Sequence, residues 1–183
     1  IMYDVSLYYK EKMQKPKWFD DLKLNQFILC TIHRAENTDD PVKLSNILKG
    51  LELSQRDIIL PLHPRTIGKI KKYGLVIPSN IRMVDPTGYL EMVWLEIHCD
   101  LIVTDSGGVQ KEAYFHGKYC VTLREETEWV ELVQKGFNKL VGSKSMLIAD
   151  SLSNIHKKEI KNTDIYGEGD AADKILDILN FIK

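Results

Sequence analysis

A run of polar and glycine residues follows a strongly apolar segment near the middle of the chain. The segment Leu101–Thr104 leads into Ser106, Gly107 and Gly108, and a helical pattern with Glu112 in its first turns comes next. Glycines let a phosphate approach the backbone because no Cβ stands in the way. The free N–H groups and the positive end of the helix dipole then hold the anion. The run therefore indicates a nucleotide site, with Ser106 as a hydroxyl donor and Glu112 as an acceptor for a ribose diol.

The same run also has a purely structural interpretation. Asp105 or Ser106 can cap the helix, and the two glycines then serve only a tight turn between strand and helix. The residues alone leave both interpretations open.

Basic side chains follow two apolar runs earlier in the chain, Phe27–Ile32 and Asp57–Leu62. His33 and Arg34 come after the first run, and His63 and Arg65 come after the second, at the start of a predicted helix. A histidine and an arginine at a strand end suit a diphosphate and a leaving group that gains negative charge. The alternatives are a local salt bridge between Arg34 and Glu36, and an exposed arginine at a helix N-terminus for the second pair.

A third arginine, Arg124, follows a later strand pattern and is a further candidate for substrate binding. Thr127 can cap the next helix, and the acidic residues at the start of that helix suit its dipole. Capping explains most of this stretch without any function.

Composition and charge exclude several classes of protein. The 183 residues carry 25 basic and 26 acidic side chains, a net charge of −1, so no excess of positive charge is available for nucleic acid or a membrane surface. No apolar run approaches the roughly 20 residues that span a bilayer. The three cysteines lie in apolar stretches and indicate buried thiols in a reducing compartment, so we expect a cytoplasmic protein. No Cys/His pattern suggests a metal, and we expect none.

Strand and helix patterns alternate along the chain. Short apolar runs rich in β-branched residues predict strands over Phe27–Ile32, Asp57–Leu62, Ile81–Val84, Leu101–Thr104, Tyr119–Leu123 and Lys139–Val141. Helical spacing predicts helices over Tyr3–Met13, Pro41–Leu53, Tyr89–His98, Val109–His116, Glu128–Lys135, Ser145–His156 and Asp170–Ile182. Alternation of this kind, with continuously apolar strands, predicts an α/β fold with a doubly wound parallel sheet.

Together these motifs resemble the UDP-N-acetylglucosamine 2-epimerase family. The similarity is carried by stretches in the family's order and at compatible spacing, namely Thr31–Asn37, His63–Thr66, Asp85–Tyr89, Thr104–Ala113, Leu123–Glu131 and Tyr166–Asp170. It covers essentially the whole chain but only the second half of a family member. The resemblance implies a glycosyltransferase type B (GT-B) architecture, in which two Rossmann-like domains face each other across a cleft.

Within that architecture the chain resembles the C-terminal, nucleotide-holding domain. Residues 1–183 are then one domain, with inter-domain helices at 1–14 and 170–183. The N-terminal domain, which in the family carries the carboxylates that move the C2 proton, is expected to be a missing partner. The resemblance also implies a homodimer for the intact protein and no cofactor.

The resemblance assigns roles to individual residues. Ser106, Gly107 and Gly108 match the positions that bind the UDP diphosphate, and Glu112 matches the acid that holds the ribose hydroxyls. His33 matches a histidine that the family requires for catalysis, near the phosphates. His63 and Arg65 are candidates for a second nucleotide site that regulates the enzyme.

The base pocket and the following loop depart from the most common family pattern. Thr87 and Met92 fall where the family lines the uracil pocket, although an aromatic residue is common at the second position. Many members carry Thr-Glu-Arg-Pro-Glu, whose arginine contacts phosphate, whereas here Trp129 replaces that arginine. Lys111 stands where an acid is frequent and can replace part of the lost charge. The Trp129 sequence is similar to the branch that acts on UDP-2,3-diacetamido-2,3-dideoxyglucuronic acid.

The activity implied is a non-hydrolysing 2-epimerisation of a UDP-sugar by elimination and re-addition of UDP. We expect the isolated chain to be inactive, because a facing domain is needed to exclude water and supply a base. The rival hypotheses are a hydrolysing 2-epimerase, a non-catalytic UDP-sugar-binding module and half of a retaining glycosyltransferase.

Overall fold

One parallel sheet organises the chain in its computed structural model, which describes residues 1–154 and 165–181. The strands are β1 (Ile28–Thr31), β2 (Ile58–Pro61), β3 (Ile81–Val84), β4 (Leu101–Thr104), β5 (Cys120–Thr122) and β6 (Asn138–Leu140). Their order is β3-β2-β1-β4-β5-β6, and all neighbouring pairs are parallel. From β1 to β3, successive strands are added towards one edge of the sheet. From β4 to β6, they are added towards the opposite edge. The topological switch point therefore lies between β1 and β4, where ligands bind in folds of this kind.

Helices cover both faces of this sheet. They are α1 (Met2–Lys10), α2 (Ala35–Thr38), α3 (Pro41–Leu53), α4 (Pro64–Lys72), α5 (Tyr89–His98), α6 (Gly107–Phe115), α7 (Val130–Gln134), α8 (Ser145–Ser153) and α9 (Ala171–Phe181), with a 3₁₀ turn at Phe19–Leu22. Side chains of α3, α4 and α8 pack on one face, and those of α5, α6 and the 3₁₀ turn pack on the other. Within β1, Ile28 and Cys30 face the first cluster and Leu29 faces the second, as the two-residue period of a strand requires.

The predicted fold class is confirmed. Each predicted strand is present. The bounds of β3 and β4 are those predicted, β1, β2 and β5 are one residue shorter at each end, and β6 begins and ends one residue earlier than predicted. The three cysteines are free and buried, as predicted. No helix in the described part of the chain is long and apolar enough to cross a membrane.

Some helix bounds were wrong. The helix predicted over Val109–His116 begins at Gly107, so both glycines lie inside its first turn. The helix predicted from Glu128 begins only at Val130, and the first helix ends at Lys10, earlier than predicted. The short α2 was not predicted, because four residues are too few for a periodic pattern. The predicted ends at His156 and Ile182 lie outside the described residues.

A candidate anion site at the switch point

The loops after β1 and β4 are joined at the switch point by paired threonines. Thr31 and Thr104 are register partners, and their hydroxyl oxygens lie 2.5 Å apart. The Thr104 hydroxyl also accepts a hydrogen bond from the backbone N–H of Ser106 at 2.9 Å. The two strand ends that carry His33 and Ser106 are therefore fixed relative to each other.

A buried carboxylate, that of Asp105, holds the β1 loop against the β4 loop. Asp105 is completely buried, and its oxygens accept hydrogen bonds from the backbone N–H groups of His33 and Arg34 at 3.0–3.2 Å. The side-chain amide of Asn37 donates a further bond at 3.0 Å and also reaches the carbonyl of Leu123. A buried charge is tolerated only with such a set of donors. Asp105 thus does not cap the helix, which corrects one of the two structural interpretations of this run.

The imidazole of His33 is oriented by the same carboxylate. Its Nδ1 lies 3.3 Å from Oδ1 of Asp105, and the side chain is 52% exposed. A carboxylate beside Nδ1 favours a proton on that nitrogen. The other ring nitrogen, Nε2, is then the one available to a ligand in the cleft.

Helix α6 directs its N-terminus at this region. Ser106 is the N-cap, and its hydroxyl accepts a hydrogen bond from the N–H of Val109 at 3.4 Å. Gly107 and Gly108 supply the first two helical N–H groups. A Cβ at Gly107 would collide with Oε1 of Glu128, so the Glu128 carboxylate could keep this position beside the helix start only with glycine at residue 107 and would otherwise have to shift.

Two arginines complete the surroundings of the helix N-terminus. Arg124, with a side chain only 10% exposed, places Nη1 2.7 Å from Oε2 of Glu128. Arg34 places Nη2 3.8 Å from Oε1 of the same carboxylate. Glu36 pairs with Arg124, whose Nε lies 3.6 Å from its Oε1, and the local Arg34–Glu36 bridge considered from sequence is therefore not the pairing observed. His33, Arg34, Arg124 and the start of α6 together form what we call the anion cage.

Glu112 lies half-buried further along α6 and contacts the helix that follows β3. Its Oε1 accepts a hydrogen bond from the Tyr89 hydroxyl at 3.2 Å. Burial raises the pKa of Glu112 above its ordinary value. Burial, followed by the neighbouring charge of Glu112, raises the pKa of Tyr89 to about 12. The pair places a carboxylate beside the loop that carries Thr87.

The candidate base-binding residues flank that loop. The Thr87 hydroxyl donates to the carbonyl of Asp85 at 3.3 Å, which tightens the turn before α5. Met92 lies on α5, partly buried against the cluster that contains Leu95 and Ile102. Their contact with a nucleobase stays a prediction.

His63 and Arg65 belong to a different cluster, at the start of α4. Nδ1 of His63 accepts the N–H of Arg65 at 3.2 Å and so caps the helix. Arg65 makes two hydrogen bonds to Asp39, at 3.0 and 3.1 Å, and Lys69 lies 3.1 Å from the same carboxylate. Lys69 and then Arg65 hold the pKa of Asp39 below its ordinary value. These contacts match the helix-terminus interpretation, and the regulatory role stays a prediction.

Sequence reasoning missed how the loop before α7 encloses the start of α6. The indole N–H of Trp129 donates to the carbonyl of Gly107 at 2.7 Å. Lys111 places its ammonium 4.1 Å from the Trp129 ring centre and 4.0 Å from that of Tyr166. Thr127 donates to Gln110 at 2.7 Å and does not cap α7, whose N-cap is Trp129. No local pattern signals these contacts, because all of them join distant positions.

Comparison with known proteins agrees with the geometry. The sequence model described as UDP-N-acetylglucosamine 2-epimerase matches residues 1–180. The UDP-2,3-diacetamido-2,3-dideoxy-D-glucuronate 2-epimerase of Pseudomonas aeruginosa is 43% identical, covering 98% of this chain and 51% of the relative. A UDP-N-acetylglucosamine 2-epimerase homolog of Methanococcus maripaludis is 42% identical, with 98% and 52% covered.

A solved structure shows the same fold. The UDP-GlcNAc 2-epimerase of Methanocaldococcus jannaschii, in complex with UDP-GlcNAc and UDP, aligns with a TM-score of 0.82 and 34% identity, covering 98% of this chain and 53% of that one. The chain therefore spans about half the length of the relatives that it matches. Its sheet and helices form the Rossmann-like domain of a GT-B architecture. On these grounds the chain belongs to the UDP-N-acetylglucosamine 2-epimerase family.

Proposed function

We propose that the chain is the UDP-binding part of a non-hydrolysing UDP-N-acetylglucosamine 2-epimerase. The reaction interconverts UDP-GlcNAc and UDP-ManNAc, or the corresponding diacetamido-uronate sugars. The observation that carries the proposal is the anion cage at the switch point, where a glycine-started helix, two arginines and an oriented histidine converge. Such a cage suits a diphosphate that must be held and then released as an anion.

The proposed binding mode places each part of UDP against a different set of residues. The diphosphate lies at Ser106, Gly107 and Gly108, with Arg34 and Arg124 beside it. The ribose hydroxyls donate to Glu112, whose carboxylate already accepts a hydroxyl hydrogen bond from Tyr89. The uracil then falls near Thr87 and Met92. Support comes from the family relative in complex with UDP-GlcNAc and UDP.

The proposed chemistry begins with removal of the proton at C2 of the sugar by a base. The electron pair left at C2 forms a C1–C2 double bond, and the bond from C1 to the β-phosphate oxygen breaks. The products are a 2-acetamidoglycal and UDP, whose departing oxygen gains negative charge. The N–H groups at the start of α6 stabilise that charge as it develops, together with His33 in its doubly protonated form, in which Nδ1–H faces Asp105 and Nε2–H faces the departing oxygen. Re-addition of UDP and return of a proton to the other face of C2 complete the inversion.

The base is expected from an N-terminal domain that this chain does not supply. The chain spans about half of the matched relatives, and helix α9 leaves apolar side chains exposed, with Ile178 at 61%, Leu179 at 56% and Phe181 at 95%. These features support an inter-domain position for α9 and an inactive isolated chain. A homodimer of the intact protein and a cytoplasmic location remain predictions of the same proposal.

Product analysis of a longer protein that carries the N-terminal domain tests the proposal. Incubation with UDP-GlcNAc, or with the diacetamido-uronate analogue, should give the C2-inverted UDP-sugar, and the present chain alone should give no turnover. His33→Ala should lower turnover by about 10²–10³ while UDP still binds, by analogy with the loss of an oxyanion donor. The exposed His98 provides the matched control, His98→Ala. Release of UDP and free sugar would instead support the hydrolysing alternative, and full turnover by His33→Ala would remove His33 from the mechanism.

A further inference from the structure

The anion cage already contains an anion that belongs to the chain itself. The carboxylate of Glu128 lies against Gly107 at the start of α6, where a Cβ on residue 107 would collide with it. Its two oxygens face different arginines, Oε2 at 2.7 Å from Arg124 and Oε1 at 3.8 Å from Arg34. Glu128 thus has the three neighbours that the proposed site offers to a diphosphate, namely the helix N-terminus and both guanidinium groups.

The electrostatics agree with this placement. The backbone N–H of the residue itself, and then the Arg124 guanidinium, lower the pKa of Glu128 below its ordinary value. Glu36 contacts the other side of Arg124 at 3.6 Å. Two carboxylates therefore face the two arginines, and a diphosphate that joined them would add like charge to a cage that is already neutralised.

The surroundings of each group decide which of them can move. The Arg124 side chain is 10% exposed and is held within the protein, whereas the Glu128 side chain is 41% exposed. Glu128 also lies in the loop before α7, a five-residue helix without a side-chain cap. Rotation of the Glu128 side chain into solvent is therefore the simplest way to free the cage.

We propose that Glu128 is an internal competitor for the diphosphate, which holds Arg34 and Arg124 in place and is displaced when UDP binds. This inference rests on the proposed function and adds to it a residue that sets nucleotide affinity. It also implies that the site distinguishes ligands that carry a phosphate group from ligands that do not. A ligand with a phosphate group at the cage must outcompete the carboxylate, whereas uridine without phosphate does not contact it.

Calorimetric titration of UDP into the wild-type chain and two matched variants tests this role. Glu128→Gln keeps the shape of the side chain and removes its charge, and Glu126→Gln removes the same charge from an exposed position two residues away. We expect Glu128→Gln to bind UDP about three- to tenfold more tightly than wild type, with Glu126→Gln within about twofold. Pyrophosphate should show the same ranking, and uridine should show none. Glu128→Ala provides a second variant if the first does not fold, as judged from thermal melting.

The outcomes separate the two proposals. If the wild-type chain binds UDP and Glu128→Gln binds it equally or more weakly, Glu128 is a positioning group for the arginines and the competitor role is wrong, while the nucleotide site stands. Equal tightening in Glu126→Gln would also overturn the role, because the effect would then reflect net charge alone. Absence of UDP binding in every variant, both in this chain and in a longer protein that carries the N-terminal domain, would overturn the proposed function and this inference together.

Discussion

Asp105 is the residue on which the geometry of the site depends most. Its buried carboxylate accepts hydrogen bonds from two backbone N–H groups of the β1 loop and from Asn37, and it lies beside the ring of His33. The charge of Asp105 also affects Cys30. Burial of the Cys30 thiol, and then that charge, raise the pKa of Cys30 well above its usual value. One side chain thus determines where His33 and Arg34 lie relative to α6.

We predict that Asp105→Asn both destabilises the chain and weakens UDP binding. The amide keeps a single oxygen and directs its NH₂ group at donors that now meet a carboxylate oxygen, so the backbone N–H groups of His33 and Arg34 and the side-chain amide of Asn37 would have to share one acceptor. The expected loss is about 2–4 kcal/mol in the free energy of unfolding. Denaturant titration measures it, with Asp21→Asn on the exposed 3₁₀ turn as the control. A stability equal to that of wild type would show that Asp105 does not organise the loop.

The residues of the site were easier to predict from the sequence than the residues that they contact. The glycines, Ser106, Glu112 and the two strand-end basic residues stand out in the sequence because strand ends and helix starts are local patterns. The partner of each was not predictable. Glu128 pairs with Arg34 across a long separation in sequence, and Trp129 reaches Gly107, both because the sheet order places β5 beside β4.

At the scale of elements, three helices meet over a buried ionisable pair. Glu96 on α5 and His116 at the end of α6 have side chains 1% exposed, with Oε2 and Nε2 3.5 Å apart, and Ser6 of α1 reaches the same nitrogen at 3.5 Å. Burial, and then the charge of Glu112, raises the pKa of Glu96 well above its ordinary value. Burial, and then Lys10 and Lys118, lowers the pKa of His116 to about 4. We therefore infer that His116 is neutral in the folded protein at neutral pH and that Glu96 keeps its proton to a higher pH than an ordinary glutamate does.

The raised pKa of Glu96 predicts how the stability of the chain changes with pH. The folded state keeps the proton on Glu96 above the ordinary pKa of 4.5, whereas the unfolded chain releases it, so the wild type loses stability as pH rises. Glu96→Gln has no such proton. Its stability relative to wild type should therefore increase as pH rises from 4.5 towards the raised pKa of Glu96, by up to about 1.4 kcal/mol per pH unit.

Denaturant titration at several pH values measures this difference. The titration of His116 between its ordinary pKa of 6.5 and about 4 destabilises both proteins as pH falls, so it cancels when the two are compared. Glu91→Gln on the same helix is the matched control and should show no trend. A relative stability of Glu96→Gln that falls with rising pH would mean that Glu96 is ionised and paired with His116.

Element types were well predicted, and element limits only in part. The bounds of α3, α5, β3 and β4 are those predicted, whereas those of α1, α6 and α7 are not. Alternating runs were enough to give each of the six strands and the parallel sheet, because strands buried on both faces are continuously apolar. The start of α7 was misplaced since Thr127 and the acidic residues after it are typical of a helix start. In the structure Thr127 bonds Gln110 of α6 instead, a tertiary contact that overrides the local signal.

At the scale of the whole chain, the six-stranded sheet is accompanied by two helices, α1 and α9, that contact each other. The N–H of Ala172 at the start of α9 donates to the carboxylate of Asp4 on α1 at 2.6 Å, so the two helices begin from a common point. The apolar residues that α9 exposes, and the half-length match to family relatives, support a facing domain beside these helices. At this scale the resemblance of motifs identified the family, whereas composition indicated only a globular chain and the alternation of strand and helix patterns only an α/β fold.

The most direct measurement is a calorimetric titration of the chain with UDP, with Glu112→Ala as the test variant and Glu52→Ala, an exposed glutamate on α3, as its control. We predict that wild type and Glu52→Ala bind UDP with equal affinity and that Glu112→Ala loses binding, because the ribose hydroxyls lose their acceptor. Equal binding by Glu112→Ala would contradict the placement of the nucleotide. Absence of binding at millimolar UDP, both in this chain and in a longer protein that carries the N-terminal domain, would contradict the nucleotide site itself.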